Sequence, residues 1–222
     1  ETDLFPVLFD MKQKGVRVDL DKADKIKNDL LAKENNILRS IKKLAGIDVE
    51  VWAAASVAKA FDSLSLPYDT TPTGKPNFDK NFLATHDSPL AKMVTEARKI
   101  YMARSTFVDK IISHSHRGRI HAEIHQMRSD QGGTVTGRFS YSNPNLQQIP
   151  ARDKILGPLI RSLFIPEKNH EWGIFDYSQQ EPRLVVHYAS MKSYVGADKF
   201  VDQYREDETT DFHNMVSKIA DI

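Results

Sequence analysis

The segment Phe175–Leu184 constrains the fold more than any other part of the chain, and it reads Phe-Asp-Tyr-Ser-Gln-Gln-Glu-Pro-Arg-Leu. The apolar run Trp172–Phe175 predicts a strand, so Asp176 falls at the strand end. Glu181 follows five residues later, beside Pro182. Proline is favoured at the first position of a helix because its missing N–H would have no partner there. The segment therefore predicts a strand, a tight turn and a helix, with carboxylates at the junction.

Carboxylate oxygens at such a junction suit Mg²⁺, which proteins usually bind with one or two carboxylates plus the phosphates of a substrate. An aspartate that follows a strand is also a common turn or helix-cap residue. Taken alone, Asp176 leaves both interpretations open.

A second segment, Thr136–Pro150, reads Thr-Gly-Arg-Phe-Ser-Tyr-Ser-Asn-Pro-Asn-Leu-Gln-Gln-Ile-Pro. Thr136–Arg138 with Pro144–Pro150 resembles the TGR…PNLQ-x-IP signature of the family A DNA polymerases, the group of bacterial DNA polymerase I and related phage enzymes. Asp176–Arg183 resembles motif A of that family, usually written DYSQIELR. Shorter likenesses to the family occur at Leu4–Leu8, Gly15–Asp19, Gly118–Gln126 and Asp211–His213.

The resemblance implies template-directed DNA synthesis, in which a nucleotidyl group passes from a dNTP to a primer 3′ hydroxyl with the help of two Mg²⁺ ions. Asp176 matches the aspartate that bridges both ions, and the backbone carbonyl of Tyr177 matches a further ligand. The fingers and a second catalytic aspartate are expected beyond Ile222. We therefore expect the chain alone to bind primer–template DNA weakly and not to extend it. No processivity factor is indicated.

Further site residues follow from the same resemblance. Glu181 matches the steric gate that excludes a ribose 2′ hydroxyl, although it could instead pair with Arg183 or cap the helix. The other expected dNTP-binding residues are Gln179, Arg152 and His213. Gln180 and Pro182 stand where the family usually has Ile and Leu, which is typical of a phage-like or divergent member and leaves sugar selectivity open.

The residues expected to bind DNA are Arg138, Asn145, Gln147, Gln148 and Lys75. Minor-groove acceptors occur in every correct base pair, so Arg and Gln donors test pair geometry without reading sequence. Asn145 is alternatively a turn-stabilising residue beside Pro144, and Lys75 a solvated loop lysine.

Two other functions stay open at this point. The chain could be a non-catalytic DNA-binding fragment, or a metal-dependent nuclease or phosphohydrolase that uses Asp176, Glu181 and histidines. His121, Glu123 and His125 share one face of a predicted strand and imitate a metal site. A structural role or a DNA contact is the favoured interpretation of this face.

Composition adds limits. The 31 basic and 30 acidic residues give a net charge of +1, which by itself does not indicate a nucleic-acid binder. Basic residues do cluster in one central stretch, as a solvated surface or a DNA contact: Arg117, Arg119, Arg128, Arg138, Arg152, Lys154 and Arg161. There is no cysteine, no run of about 18 apolar residues and no signal peptide. We therefore expect no membrane partner and a location in the cytoplasm of a bacterium or a phage-infected cell.

The predicted fold class is α+β, with a long-helix thumb arm and the first strands and helices of a polymerase palm. The expected divisions are a palm-edge helix and thumb entry (1–21), a helical thumb (22–117) and the N-terminal palm with motif A (118–222). Helices are predicted at about 4–14, 20–45, 51–61, 88–111, 182–190 and from 211. Strands are predicted at about 120–126, 163–166 and 172–175, and residues 67–76 as a loop. The chain is interpreted as an internal piece of a longer polypeptide.

Overall fold

The computed structural model describes residues 2–130, 132–207 and 209–220, without the side chains of residues 213 and 218–220. The described chain is mostly helical with small antiparallel sheets, which confirms the α+β class. It divides into two compact units, Glu1–His170 and Glu171–Ile222. No helix among the described residues is both long and apolar enough to cross a membrane.

The first unit contains most of the secondary structure. Its α-helices are α1 (Leu4–Lys14), α2 (Leu20–Ala45), α3 (Ala54–Ser63), α4 (Lys80–Thr85), α5 (Pro89–Met102), α6 (Asp109–Ser113) and α7 (Leu156–Arg161). Its strands are β1 (Val16–Arg17), β2 (Asp69–Thr70), β3 (Pro76–Asn77), β4 (Ser115–His116), β5 (Arg119–Ile120), β6 (Glu123–His125) and β7 (Ser140–Ser142). The strands form three antiparallel sheets, β1-β5-β4, β2-β3 and β6-β7. The helices of the second unit are α8 (Gln180–Met191), α9 (Ala197–Glu206) and α10 (Phe212–Ala220).

Helix α2 begins and ends where the sequence predicts, whereas α5 begins where predicted but ends at Met102, nine residues before the predicted end at about residue 111. The Asp19 carboxylate accepts a hydrogen bond from the Lys22 backbone N–H at 2.9 Å and caps α2, and α2 ends at Gly46 in the left-handed conformation. Ser88 caps α5 in the same way, with Pro89 in the first turn. The predicted caps of both helices and the predicted end of α2 are confirmed. A π-helical segment, Ala103–Val108, joins α5 to α6.

Two apolar clusters form the core of the first unit. One packs the N-terminal half of α2 against the end of α5, the π-helical segment, α6, α7 and strand β5, together with Val18 after β1. The other packs the C-terminal half of α2 against α3, α4 and the start of α5. Phe61 is fully buried at its centre and contacts the rings of Tyr68, Phe78, Phe82 and His86. Burial of each such apolar side chain contributes about 1.5–3 kcal/mol to the free energy of folding.

Two strand predictions are wrong. Residues 172–175 form no strand, because no described segment pairs with them and a strand needs a partner for its backbone N–H and C=O groups. Ile174 and Phe175 are 89% and 96% exposed. Residues 163–166 form only an isolated bridge, between Phe164 and Val18, and the pairing stops at Pro166, which has no N–H to donate.

Other elements differ from the prediction in detail. The predicted loop at residues 67–76 overlaps the hairpin β2–β3, in which Asp69 faces Asn77. The short helices α4 and α7 were not predicted. The predicted strand at 120–126 is two short strands, β5 and β6, which belong to different sheets. Helix α3 begins at Ala54, three residues later than expected.

Arg98 on α5 forms hydrogen bonds with backbone carbonyls in the segments that precede α3 and α4. Its Nε donates to the Val51 carbonyl and its Nη1 to the Phe78 carbonyl, both at 2.6 Å, and its guanidinium lies over the Trp52 ring. Burial lowers the pKa of Arg98. The side chain therefore ties α3 and α4 to α5 through two carbonyls that would otherwise lose their partners.

We expect Arg98→Met to lower the free energy of unfolding of the first unit by about 2 kcal/mol, the usual worth of hydrogen bonds to a charged donor. Urea unfolding followed by Trp52 fluorescence in a Trp172→Phe background measures it. Lys59→Met on the exposed side of α3 is the matched control. An unfolding midpoint equal to that of the control would contradict this role for Arg98.

Asp153 should titrate unusually low. Lys99 donates to its carboxylate, and the Leu156 and Ile155 backbone N–H groups add hydrogen bonds, which lowers the pKa of Asp153 to about 2. Because this folded-state pKa lies below the ordinary value of about 3.9, the charged form stabilises the fold above about pH 4, and this contribution is lost as the pH falls towards 2. We expect Lys99→Met to raise the pKa in an NMR titration of the Asp153 carboxyl carbon, whereas Lys92→Met should leave it unchanged.

Candidate active site

The turn before α8 presents Asp176 to solvent. Asp176 is exposed, and within the described residues its carboxylate has no hydrogen-bond or ion-pair partner. The Tyr177 side chain is 81% exposed. Helix α8 begins at Gln180, so Pro182 is its third residue and not its first as predicted. The motif does form a turn followed by a helix, with Glu181 exposed in the first helical turn.

Arg183 ties this turn to the helix that follows. Its Nε donates to the Ser178 carbonyl at 3.0 Å, and its guanidinium lies 4.4 Å from the centre of the Tyr204 ring on α9. Tyr204 is buried, and its burial raises the pKa of its phenol. An open groove of about 600 Å³ lies along this contact, between Tyr177, Leu184 and Arg205.

Gln179 ends the turn in an unusual conformation, with φ 54° and ψ 40°. Its Nε2 donates to the Thr210 carbonyl at 2.8 Å, and its Oε1 accepts from the Phe212 backbone N–H at 2.8 Å. The Tyr204 hydroxyl lies 3.5 Å from the same Oε1. The Nε2 and Oε1 atoms of Gln179 therefore both contact residues that lie 25 to 33 positions later in the chain.

In the first unit, four of the predicted DNA-binding residues lie between β6 and β7 or shortly after β7. Arg138, Asn145, Gln147 and Gln148 are all exposed. Asn145 also stabilises its own turn, because its Oδ1 accepts from the Gln147 backbone N–H at 3.0 Å. The Gln147 amide donates to the Phe139 carbonyl at 3.0 Å. The segment that resembles the TGR signature is therefore braced by the same side chains that were predicted to bind DNA.

The histidines near this hairpin have structural contacts. His125 Nε2 lies 2.7 Å from Ser142 Oγ, which donates to Glu123 Oε2 at 3.2 Å and so joins β6 to β7. His121 Nδ1 lies 2.9 Å from the Lys12 carbonyl at the end of α1. A Cβ on Gly15, which has φ 63°, would come within 2.7 Å of this ring, so the close approach requires glycine.

The remaining predicted residues are dispersed. Lys75 is exposed in the hairpin β2–β3 and Arg152 is exposed before α7. The side chain of His213 lies outside the described residues. Tyr204 and Thr210 were not predicted, and no local pattern could have found them, because their contacts with Gln179 join positions 25 and 31 residues apart.

The donors present suit a shared magnesium site. Within residues 2–130, 132–207 and 209–220, no group of three His, Asp or Glu side chains could hold a metal ion. Asp176 nevertheless offers two uncommitted carboxylate oxygens on an exposed turn, next to the backbone of Tyr177. Mg²⁺ takes one or two carboxylates and completes its shell with water and substrate phosphates, so these donors fit the ion.

Comparison with known proteins agrees with these motifs. Residues 20–221 match DNA polymerase family A. A DNA-directed DNA polymerase of Pseudomonas phage M6 is 35% identical over the whole chain, and the DNA polymerase DpoZ of Salmonella phage PMBT28 is 31% identical over 99% of it. The chain spans 36% and 37% of the length of these relatives. The thermostable DNA polymerase I of Thermus thermophilus is 30% identical over 84% of the chain and 23% of its own length.

A solved structure is similar as well. The POL domain of Pol1 from M. smegmatis, in complex with DNA primer–template and dNTP, matches with a TM-score of 0.65 and 26% identity. The match covers 81% of this chain and 32% of that one. The chain belongs to DNA polymerase family A. Within the family, it has phage-type relatives that include the DpoZ polymerases.

Proposed function

We propose that the chain is the thumb and the first part of the palm of a polymerase that performs template-directed DNA synthesis. Residues 1–21 would form the palm edge and thumb entry, 22–117 the thumb, and 118–222 the palm with motif A. The observation that carries the proposal is the Asp176 carboxylate, exposed and without a partner in the described structure, in a chain matched to the family over residues 20–221. The nucleotidyl group of a dNTP would be transferred to a primer 3′ hydroxyl.

In this reaction the chain would supply a negatively charged metal ligand and hold it in a fixed position. Asp176 and the backbone carbonyl of Tyr177 would hold Mg²⁺ in the intact polymerase. When bound there, two such ions supply activation of the attacking hydroxyl and stabilisation of the leaving pyrophosphate. Arg183, through Ser178, keeps the turn that carries Asp176 against α8. The described residues supply a single carboxylate at this turn, and we propose that a second acidic ligand comes from another part of the intact polymerase.

Glu181 would select the sugar. It stands in the first turn of α8, five residues after Asp176, and is exposed to an incoming molecule. A carboxylate packed under the sugar leaves a deoxyribose undisturbed and clashes with a ribose 2′ hydroxyl, which is selection by exclusion. Arg152 and His213 would contact the incoming nucleotide. Gln180 and Pro182 form the rest of this helix start and would shape the same pocket.

The first unit would hold the primer–template. Arg138, Asn145, Gln147 and Gln148 would meet minor-groove acceptors that are common to all base pairs. Lys75, on the hairpin β2–β3, would meet a phosphate. Such contacts do not depend on sequence, and phosphate contacts weaken as salt rises because bound counterions are released on binding. The 222-residue chain by itself would therefore act as a weak, non-catalytic DNA binder.

The nuclease alternative lacks support from the geometry. It requires histidines as metal ligands beside carboxylates, whereas His121 and His125 contact the Lys12 carbonyl and Ser142. Primer extension and cleavage of labelled DNA, measured on the same preparation of the intact polymerase, distinguish the two reactions.

The first test is Asp176→Asn in the intact polymerase. We expect incorporation to fall by at least about 10³-fold, because the variant loses a charged ligand in a site whose rate depends on charge stabilisation. The Kd for primer–template should stay within a few-fold, since Asp176 is not among the DNA contacts. Rapid-quench extension and fluorescence titration measure the two quantities. Turnover near that of the wild type would remove Asp176 from the mechanism.

The second test is Glu181→Ala. We expect the ratio of kcat/KM for ribonucleotides to kcat/KM for deoxynucleotides to rise by at least about ten-fold, because the steric clash with the 2′ hydroxyl disappears. Glu171→Ala, at an exposed position outside motif A, is the matched control. If both variants keep the wild-type ratio, sugar selection depends on another residue.

A further inference from the structure

The N–H groups at the start of α10 donate hydrogen bonds to side chains from two different parts of the chain. The first N–H groups of any helix have no partner within the helix. The Asp211 Oδ1 accepts from the Asn214 backbone N–H at 2.9 Å, which is ordinary capping by the preceding residue. The Phe212 N–H, in contrast, donates at 2.8 Å to Gln179 Oε1, 33 residues earlier in the chain.

The second half of the same amide fixes its orientation. Gln179 Nε2 donates at 2.8 Å to the Thr210 carbonyl, so the donor faces a carbonyl and the acceptor faces an N–H. Exchanging the two ends of the amide would lose both hydrogen bonds. The Tyr204 hydroxyl approaches Oε1 from α9, and the Tyr204 ring also stacks on Arg183. One side chain thus connects the turn after Asp176 to the beginning of α10.

The backbone of Gln179 depends on this arrangement. A non-glycine residue with φ near 54° is uncommon and persists where its surroundings over-determine it. The two hydrogen bonds of the side-chain amide hold Gln179 in this conformation. The next residue, Gln180, begins α8. The position of the Asp176 turn and the position of the α10 N-terminus are therefore set together.

We propose that Gln179 is a positioning residue for nucleotide incorporation, whose amide holds the turn of Asp176 against the start of α10 without contacting the nucleotide itself. This inference rests on the proposed function and refines the expectation that Gln179 binds the dNTP directly. Both polar atoms of its amide are already engaged within the protein. A displacement of about 1 Å between reacting groups is enough to cost orders of magnitude in rate, so such a clamp has a kinetic consequence.

The test uses the intact polymerase with three variants. Gln179→Leu removes both hydrogen bonds and replaces the amide with an apolar side chain that is one atom shorter. Gln179→Glu keeps the acceptor for the Phe212 N–H and loses the donor to the Thr210 carbonyl. Gln203→Leu makes the same chemical change at an exposed position of α9, where the contacts with Asp207 and Thr210 use the backbone carbonyl and are retained.

Two measurements are made on each variant. Hydrogen exchange of peptides that span residues 209–215 should be about ten-fold faster in Gln179→Leu, because the Phe212 N–H loses its acceptor. The kcat for incorporation should fall about ten-fold with an unchanged Kd for primer–template. Gln179→Glu should keep the slow exchange and recover part of the kcat. Gln203→Leu should match the wild type in both.

The outcomes separate this inference from the proposed function. Faster exchange with an unchanged kcat would overturn the positioning role, and so would a lower kcat with unchanged exchange, which would indicate direct contact with the nucleotide. Failure of the proposed function would instead appear as an active Asp176→Asn variant, which is measured separately. The combined loss of protection and kcat, with partial rescue by glutamate, supports the inference.

Discussion

The packing of α2 against α5 is the constraint on which the first unit depends. Each helix is long enough to serve both apolar clusters: α2 places Ile26 and Leu30 in one and Ile41 in the other. Helix α5 contributes Val94 to the second cluster and Ile100 to the first. The strands of the small sheets are only two or three residues long, so the sheets are too small to be stable alone. They are therefore held by what the helix pair and its neighbours bury.

Individual polar side chains hold together the segments that the apolar clusters do not organise. Arg98 supplies partners to carbonyls from two separate loops, and Arg104 joins α2 to α6 through Glu34 and Asp109. Side-chain hydrogen bonds to the backbone also occur in the second unit, where Arg183 and Gln179 hold a turn that has few buried neighbours. The role proposed for Asp176 would require a rigid turn, because charge stabilisation depends on groups that are already in place. The exposed Asp176 and the engaged Gln179 are thus complementary parts of one arrangement.

The histidines show how residue types alone can resemble a metal site, although a structural role or a DNA contact was the favoured interpretation of the sequence. His121, Glu123 and His125 alternate along the chain and have the residue types of a metal site. His121 and Ala122 lie between two short strands, so the regular alternation of one strand is interrupted, and each histidine ring has a different partner. Their role in the described structure is to join β6 to β7 and to hold the end of α1.

The sequence by itself determined both boundaries of α2, the start of α5, the buried faces of the two helices, the α+β class and the polymerase family. These depend on local signals: capping by Asp19 and Ser88, the left-handed stop at Gly46, helical periodicity and two contiguous motifs. It did not determine the absence of a strand at 172–175, the hairpin β2–β3 or the engagement of Gln179. Strand pairing and the Gln179 hydrogen bonds need partners distant in the chain, in the latter case 31 and 33 residues away. Only the tertiary structure decides which distant groups meet, because a local pattern specifies a side chain's preference but not the position of its partner.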